Sequence, residues 1–451
     1  MFGAGRGRAL TRAEDSRHGD YWQEESSNER VNPIFDPSTR FRALKHRNFQ
    51  LFTIGQLISL IGTWMQTTAQ QWLVYRLTGS VALLGVFGFA NQVPMLLLAW
   101  MGGYVGDRYN RHRGVIVTQT CSMVLAFLLA GLTLTHVIRE WHLIVIAFLV
   151  GIVNAFDVPI RQAFFVHMVG KEDLPNAIAL NSSIFNGARV IGPAIAGFTI
   201  VLVGEGWCFF LNGVSFIAVL VALLMMRIER TETQRTGESP VRSFIQGFRF
   251  AMSDVPIRSA LLLLSILSLF GLQYTVFLPI YASDILHGGP KVLGLLMSAA
   301  GVGAVLGALQ FAARTQYNKG LARWIATTCT TCGIALLVFA GARSFWLCAT
   351  VLFVVGFAAT SQMAATNTII QQRVPDEMRS RLMAVYATLF MGVQPIGALI
   401  AGGVAKHLGA PATLIIFGVI LLIGCVMFIT RVVMKAGAGG AVAVRAGATT
   451  D

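Results

Sequence analysis

From residue 50 to residue 434, apolar stretches of roughly 20 residues or more alternate with short polar connections, a pattern that predicts helices crossing a membrane. The expected spans are roughly 50–75, 81–105, 114–136, 142–163, 177–203 and 207–227, then 257–281, 291–314, 321–341, 345–367, 382–404 and 411–434. Only one connection is both long and polar. It runs from Ile228 to Pro256 and holds Glu229, Arg230, Glu232, Arg235, Glu238, Arg242 and Arg249. Phe244, Phe248 and Phe250 in its later part predict an amphipathic helix at the membrane surface. The expected organisation is a disordered cytoplasmic tail over 1–40, a six-helix bundle over 41–227, a linker over 228–256, a second bundle over 257–434 and a tail over 435–451.

Lysine and arginine gather on alternate connections. One set carries Arg42, Lys45, Arg47, Arg108, Arg111, Arg113, Lys171, Arg227, Arg230 and Arg235, and in the later half Arg314, Lys319, Arg323, Arg373, Arg379, Arg381, Arg431 and Lys435. The other set carries only Arg76, Arg139, Lys291, Arg343 and Lys406. By the positive-inside rule, both termini and the linker are expected on the cytoplasmic side of the membrane. The composition agrees: 12% of residues are charged and 55% are hydrophobic, far from the roughly one quarter charged of a soluble domain. The net charge of +14 would point to nucleic acid in a soluble protein. Here it is a topology signal, and no nucleic-acid partner is expected.

Little else in the chain carries chemistry. The six cysteines fall inside apolar runs, so no disulfide framework is implied, and Cys329-x-x-Cys332 lacks a second pair or a nearby histidine for a metal. The eight histidines are scattered over loops and helix ends without H-E-x-x-H spacing, and there is no Walker motif. No metal, no cofactor and no enzymatic activity are expected.

The two sets of six repeat each other. Val169-Gly170-Lys171-Glu172 parallels Val374-Pro375-Asp376-Glu377, and Arg189-Val190-Ile191-Gly192-Pro193-Ala194-Ile195-Ala196-Gly197 parallels Gln394-Pro395-Ile396-Gly397-Ala398-Leu399-Ile400-Ala401-Gly402. The fold class expected is an all-α membrane protein: twelve transmembrane helices in two pseudo-symmetric six-helix bundles, with a cavity between them near the midplane.

Gly102-Gly103-Tyr104-Val105-Gly106-Asp107-Arg108-Tyr109-Asn110-Arg111-His112-Arg113 resembles the G-x-x-x-D-R-x-x-R-R loop between the second and third helices of the major facilitator superfamily, with His112 at the last Arg. Further stretches resemble the enterobactin-exporter-like secretion branch of that superfamily. They are Phe41-Arg42-Ala43-Leu44, Gly62-Thr63-Trp64-Met65-Gln66, Asn154-Ala155-Phe156-Asp157-Val158-Pro159 and Leu174-Pro175-Asn176-Ala177. The resemblance implies secondary active export of a small amphipathic molecule, siderophore-like or drug-like, by alternating access and with proton coupling. An importer or facilitator shares the same motifs. Gly187, Gly192, Pro193 and Gly197 resemble the antiporter motif G-x-x-x-G-P-x-x-G-G imperfectly, since Ala196 replaces a glycine and Gly187 is displaced by one.

Ionisable groups at membrane depth cost free energy and mark function. Asp157 and Arg161, four apart on the fourth helix, are spaced to pair. By the resemblance, Asp107, Arg108 and Arg111 join Asp157 and Arg161 in a gating charge network on the cytoplasmic side, and Asp157 or Asp107 carries the proton. Arg189 lies nearest the midplane and is expected to attract an anionic or catecholate-type substrate, to pair with Asp157, or to bond a carbonyl freed near Pro193. Thr63, Gln66, Gln70, Asn91, Gln273, Tyr274, Gln362 and Gln394 are the further polar groups expected around the substrate cavity, with Trp64, Gln71 and Gln92 beside them.

Overall fold

The structure is a computed structural model that describes residues 42–170, 172–226, 240–314 and 320–434, excepting the side chains at 103, 106, 107, 240–243, 314 and 376. Both tails, the first part of the linker and the Asp107 carboxylate therefore lie outside the described residues. After a 3₁₀ turn at Arg42–Lys45, the first half comprises α1 (Arg47–Thr78), α2 (Val81–Arg108), α3 (Arg111–Leu134), α4 (Glu140–Val169), α5 (Leu174–Val203) and α6 (Glu205–Leu224). The linker contributes α7 (Pro240–Ser253). The second half comprises α8 (Val255–Leu269), α9 (Tyr274–Ile280), α10 (Gly289–Arg314), α11 (Leu321–Gly341), α12 (Phe345–Arg373), α13 (Asp376–Ala387) and α14 (Gln394–Phe428).

Among the described residues, ten stretches are long and apolar enough to cross a membrane. One of them, of 57 residues, holds two crossings, because Gly409 at φ +80° breaks α14. With α1, whose glutamines and threonines lower its hydropathy, these make the twelve crossings expected. Local chemistry sets the ends. Ser80, Asn110 and Asp254 cap α2, α3 and α8 by accepting from the backbone N–H groups of Leu83, Arg113 and Ile257. Gly79, at φ +57°, closes α1 in the left-handed conformation that a side chain resists.

Two crossings are less regular than their hydropathy predicts. The seventh stops at Leu269, makes a 3₁₀ turn over Gly271–Gln273 and resumes as α9. The eleventh interposes a π turn, Thr388–Gly392, between α13 and α14. Within the first break the Gln273 amide donates to the Ser268 carbonyl at 2.9 Å and to the Gln394 carbonyl at 3.3 Å, so backbone acceptors released by the break find a donor.

The halves have matching contacts. In the first, α1 packs on α5 and α6, α2 on α4, and α3 on α4 and α6. In the second, α8 packs on α14, α10 on α12, and α11 on α12 and α14. Between the halves the main seams are α5 with α10 and α2 with α14, which exchange under the same pseudo-twofold. Each seam closes on a glycine pair. A β-carbon on Gly85 would stand 2.9 Å from the Gly402 Cα, and one on Gly294 would stand 3.1 Å from the Gly197 Cα. All four glycines lie toward the end of the molecule that carries the short connections at 78–81 and 203–205, opposite the basic end.

The linker helix α7 docks on α13, so that the Gly247 Cα region meets the Arg381 backbone and Gln246 accepts a hydrogen bond from Arg381. At the basic end of the first half, Asp173 holds the 3₁₀ turn, with His46 Nε2 at 2.8 Å and Arg42 Nε at 3.4 Å. The His46 hydrogen bond, and behind it the Arg42 charge, keep the Asp173 carboxyl below its ordinary value. A depressed carboxylate contributes stability above its unfolded value of about 3.8 and loses it as the pH falls through the folded value. Asp173→Asn is accordingly expected to speed hydrogen exchange of residues 42–46 at neutral pH, and the wild-type protein is expected to show that loosening only in acid below pH 3.8. Equal exchange in both proteins at pH 7 would remove Asp173 as the anchor.

Candidate functional site: a mid-span cavity between the halves

Between the two halves lies a cavity of about 240 Å³. Its polar lining comes from α1 (Trp64, Thr67, Gln71), α2 (Gln92), α5 (Arg189), the break in the seventh crossing (Gln273, Tyr274, Thr275) and α14 (Gln394). Pro193, Leu272, Leu278, Met297 and Ala300 supply the apolar wall. Arg189 is the one charged side chain in this lining among the described residues. Its guanidinium carbon lies 5.8 Å from the centre of the Trp64 ring, within cation–π range. From the opposite half, the buried Tyr274 lines the same cavity.

Toward the short-loop end the cavity is sealed. Beyond the glycine pairs, Ser298 Oγ donates to the Val190 carbonyl at 2.6 Å, and Lys291 Nζ stands 5.2 Å from the centre of the Phe198 ring. The Tyr75 hydroxyl donates to the Asp284 carboxylate across the halves. Toward the basic end Thr63 is exposed, and a β-carbon on Gly187 would meet nothing within 4 Å. Ion pairs there whose partners are both described stay within one half: Asp173 with Arg42 and His46, Asp157 with Arg161, and Asp254 with Arg373.

Of the residues expected at the cavity, the structure brings Arg189, Gln273, Tyr274 and Gln394 together. Others it places elsewhere. Gln66 is buried and accepts from Asn212 Nδ2 of α6 at 2.7 Å, a partner that the sequence of α1 does not reveal. Asn91 turns to α4, its amide 3.5 Å from the Ala147 carbonyl, and the next residue, Gln92, faces the cavity in its place. Neighbours on a helix point about 100° apart, and polarity alone does not choose between two adjacent amides. Gln70 and Gln362 are buried, at 4% and 0% exposure, and do not line the cavity. Thr63 is exposed and donates to the Ser59 carbonyl of its own helix.

Of the expected charge network, the Asp157–Arg161 pair is present, while the Asp107 side chain lies outside the described residues. Asp157 is buried and is held inside the first half by Thr118 Oγ1 at 2.6 Å, Gln119 Nε2 at 2.9 Å and Arg161 Nε at 3.3 Å. Asp157 therefore pairs with Arg161, and Arg189 does not pair with it. Arg108 is exposed and stacks on Tyr104, while Arg111 donates to the Ala163 carbonyl at 3.3 Å. Of the antiporter-like residues, Gly192 packs on Trp64 of α1, and Pro193 and Gly197 pack on α10 of the other half. Gly187 makes no such contact. The cross-half pair Tyr75–Asp284 was invisible in the sequence, because its members are 209 residues apart, and Asp284 lies in a π turn over Tyr281–Ile285 that hydropathy does not mark.

Comparison with known proteins accords with this geometry. The staphyloferrin A transporter of Staphylococcus aureus is 26% identical over 377 residues, covering 82% of this chain and 92% of the relative. The multidrug efflux pump Tap of Mycolicibacterium fortuitum is 24% identical, covering 84% and 95%. The enterobactin exporter EntS of Shigella boydii is 25% identical, covering 84% and 92%. Among solved structures, the nucleoside transporter NupG superposes with a TM-score of 0.68 at 12% identity, covering 85% of this chain and 98% of that one. An inward-facing, occupied bacterial homologue of the lysosomal transporter Spinster gives 0.67 at 14% identity, covering 85% and 96%. These two share the fold. Residues 38–444 match the family described as transmembrane secretion effector, and the chain belongs to that family of major facilitator transporters.

Proposed function

We propose that the protein is a secondary active exporter of a small amphipathic molecule, siderophore-like or drug-like, working by alternating access about the mid-span cavity. One observation carries the reading. Polar groups from both halves converge on a single cavity that pseudo-symmetric glycine seams close at one end only. Rocking the halves would open those seams and close the basic end. Lysine and arginine bias puts the basic end and both termini in the cytoplasm of a bacterial cell, so this is the state that loads from inside. The exporter-named relatives favour outward transport. Net transport is expected in inside-out vesicles supplied with an ion gradient; net uptake by right-side-out vesicles without a gradient would establish an importer or facilitator instead.

Were efflux to follow a pH gradient instead of the membrane potential, Asp157, a carboxylate buried in the first half, would carry the proton. Asp157→Asn is then expected to flatten the pH dependence of efflux. An unchanged profile would remove Asp157 as the proton carrier.

A further inference from the structure

The charge of the cavity has a consequence for the energy source. Among the described residues, the lining holds one fixed cation and no carboxylate. Arg189 is half-buried, and its neighbours are an indole face and a phenol rather than an anion. A guanidinium remains protonated throughout, so this site cannot alternate its own charge by taking up and releasing protons. The buried carboxylate Asp157 already faces Arg161, Thr118 and Gln119 on α3 and α4, away from the lining. Uncompensated positive charge at membrane depth is costly, and an anion is the ligand that relieves the cost. Trp64 and Tyr274 offer flat faces beside the cation, and about 240 Å³ suits a group of one substituted ring.

Resting on the export reading above, we propose that the cavity takes an aromatic monoanion at Arg189, and that the membrane potential acting on the anion's charge drives its export. The balance is simple. Arg189 stays with the protein, the anion's single negative charge leaves the cell, and no bond forms or breaks. The loaded cavity is neutral when the halves rock, and the net charge moved per cycle is that of the cargo. An inside-negative potential of 100 mV is worth about 2.3 kcal/mol per charge, which sustains a gradient of about fifty-fold for a monoanion.

The test uses the full-length protein in liposomes with 1-naphthalenesulfonate, which stays ionised at any accessible pH, so that a pH gradient cannot act on the probe itself. Valinomycin and potassium set the potential. With an inside-negative potential and no pH gradient, the liposomes are expected to drive the probe out against a tenfold opposing gradient. Clamping the potential to zero should abolish that uphill movement. Arg189→Gln should remove the potential-driven flux, and Arg189→Lys, which keeps the charge, should retain a measurable part of it. Sulfonate flux that is indifferent to potential, or uphill movement powered by a pH gradient at zero potential, overturns the proposal and leaves export standing. Transport of neutral naphthalene-methanol or of cationic ethidium with no sulfonate flux overturns the anionic site and likewise leaves export standing. Movement of the sulfonate only inward, against the inside-negative potential, contradicts both the proposal and the export reading.

Discussion

Tryptophan at both Gly85 and Gly294 is expected to lower transport at least tenfold and to leave the cavity open at the short-loop end. The two glycines are pseudo-symmetric, and each faces a glycine of the opposite half. A single β-carbon at Gly294 would already come within 3.1 Å of the Gly197 Cα and closer still to the Pro193 carbonyl. At Gly85 a β-carbon would come within 2.9 Å of the Gly402 Cα, with the Ala398 carbonyl nearer again. Backbone atoms cannot swing aside as a side-chain end can. An indole in both seams must therefore separate α5 from α10 and α2 from α14. Overpacking inside a rigid core costs about 1–3 kcal/mol or more, but here the molecule can escape the strain by rocking. Each 1.4 kcal/mol of preference for the rocked state changes the population tenfold. Gln71→Cys, placed in the cavity, provides the readout. In right-side-out vesicles an impermeant maleimide should label it slowly in the parent protein and rapidly in the double tryptophan variant. Slow labelling in a variant that inserts and purifies as the parent does would mean that the seams are not the outer gate.

The sequence predicted the architecture because each crossing is a local signal. About 20 apolar residues between charged loops, repeated twelve times with one long interruption, leave few alternatives, and the repeated Gly192 and Gly397 segments supply the pseudo-symmetry. The break in the seventh crossing was written less plainly, as Gly271 followed by Gln273, Tyr274 and Thr275 inside an apolar run. The site was legible only in part. Arg189, Gln273, Tyr274 and Gln394 were legible as polar groups inside long apolar runs, and all four reach the cavity. Gln66 looks the same in the sequence, yet Asn212 satisfies it from α6. Which polar residues face the cavity depends on helix rotation and on partners more than a hundred residues away. A hydropathy pattern along the chain carries neither piece of information.

Removing Arg161 alone is expected to destabilise the first half more than removing both members of its ion pair. Asp157 is 4% exposed, and its oxygens are shared between Thr118 and Gln119 on one side and Arg161 on the other. Arg161→Met leaves that carboxylate buried with hydrogen-bond donors but without its counter-charge. Losing one partner of a buried pair costs about 3–5 kcal/mol, and the two remaining donors should hold the loss near the lower end. Asp157→Asn is expected to be milder, since the amide oxygen can still accept from Thr118 and Gln119, and Arg161 is partly exposed and reaches solvent or headgroups. The double variant Asp157→Asn/Arg161→Met should recover most of what Arg161→Met loses, because the uncompensated charge is gone. Thermal unfolding of the detergent-solubilised protein, read through tryptophan emission, gives the four midpoints that the cycle needs. Additive losses would show that the two residues act independently, and would move the role of Asp157 from an ion pair to its contacts with α3.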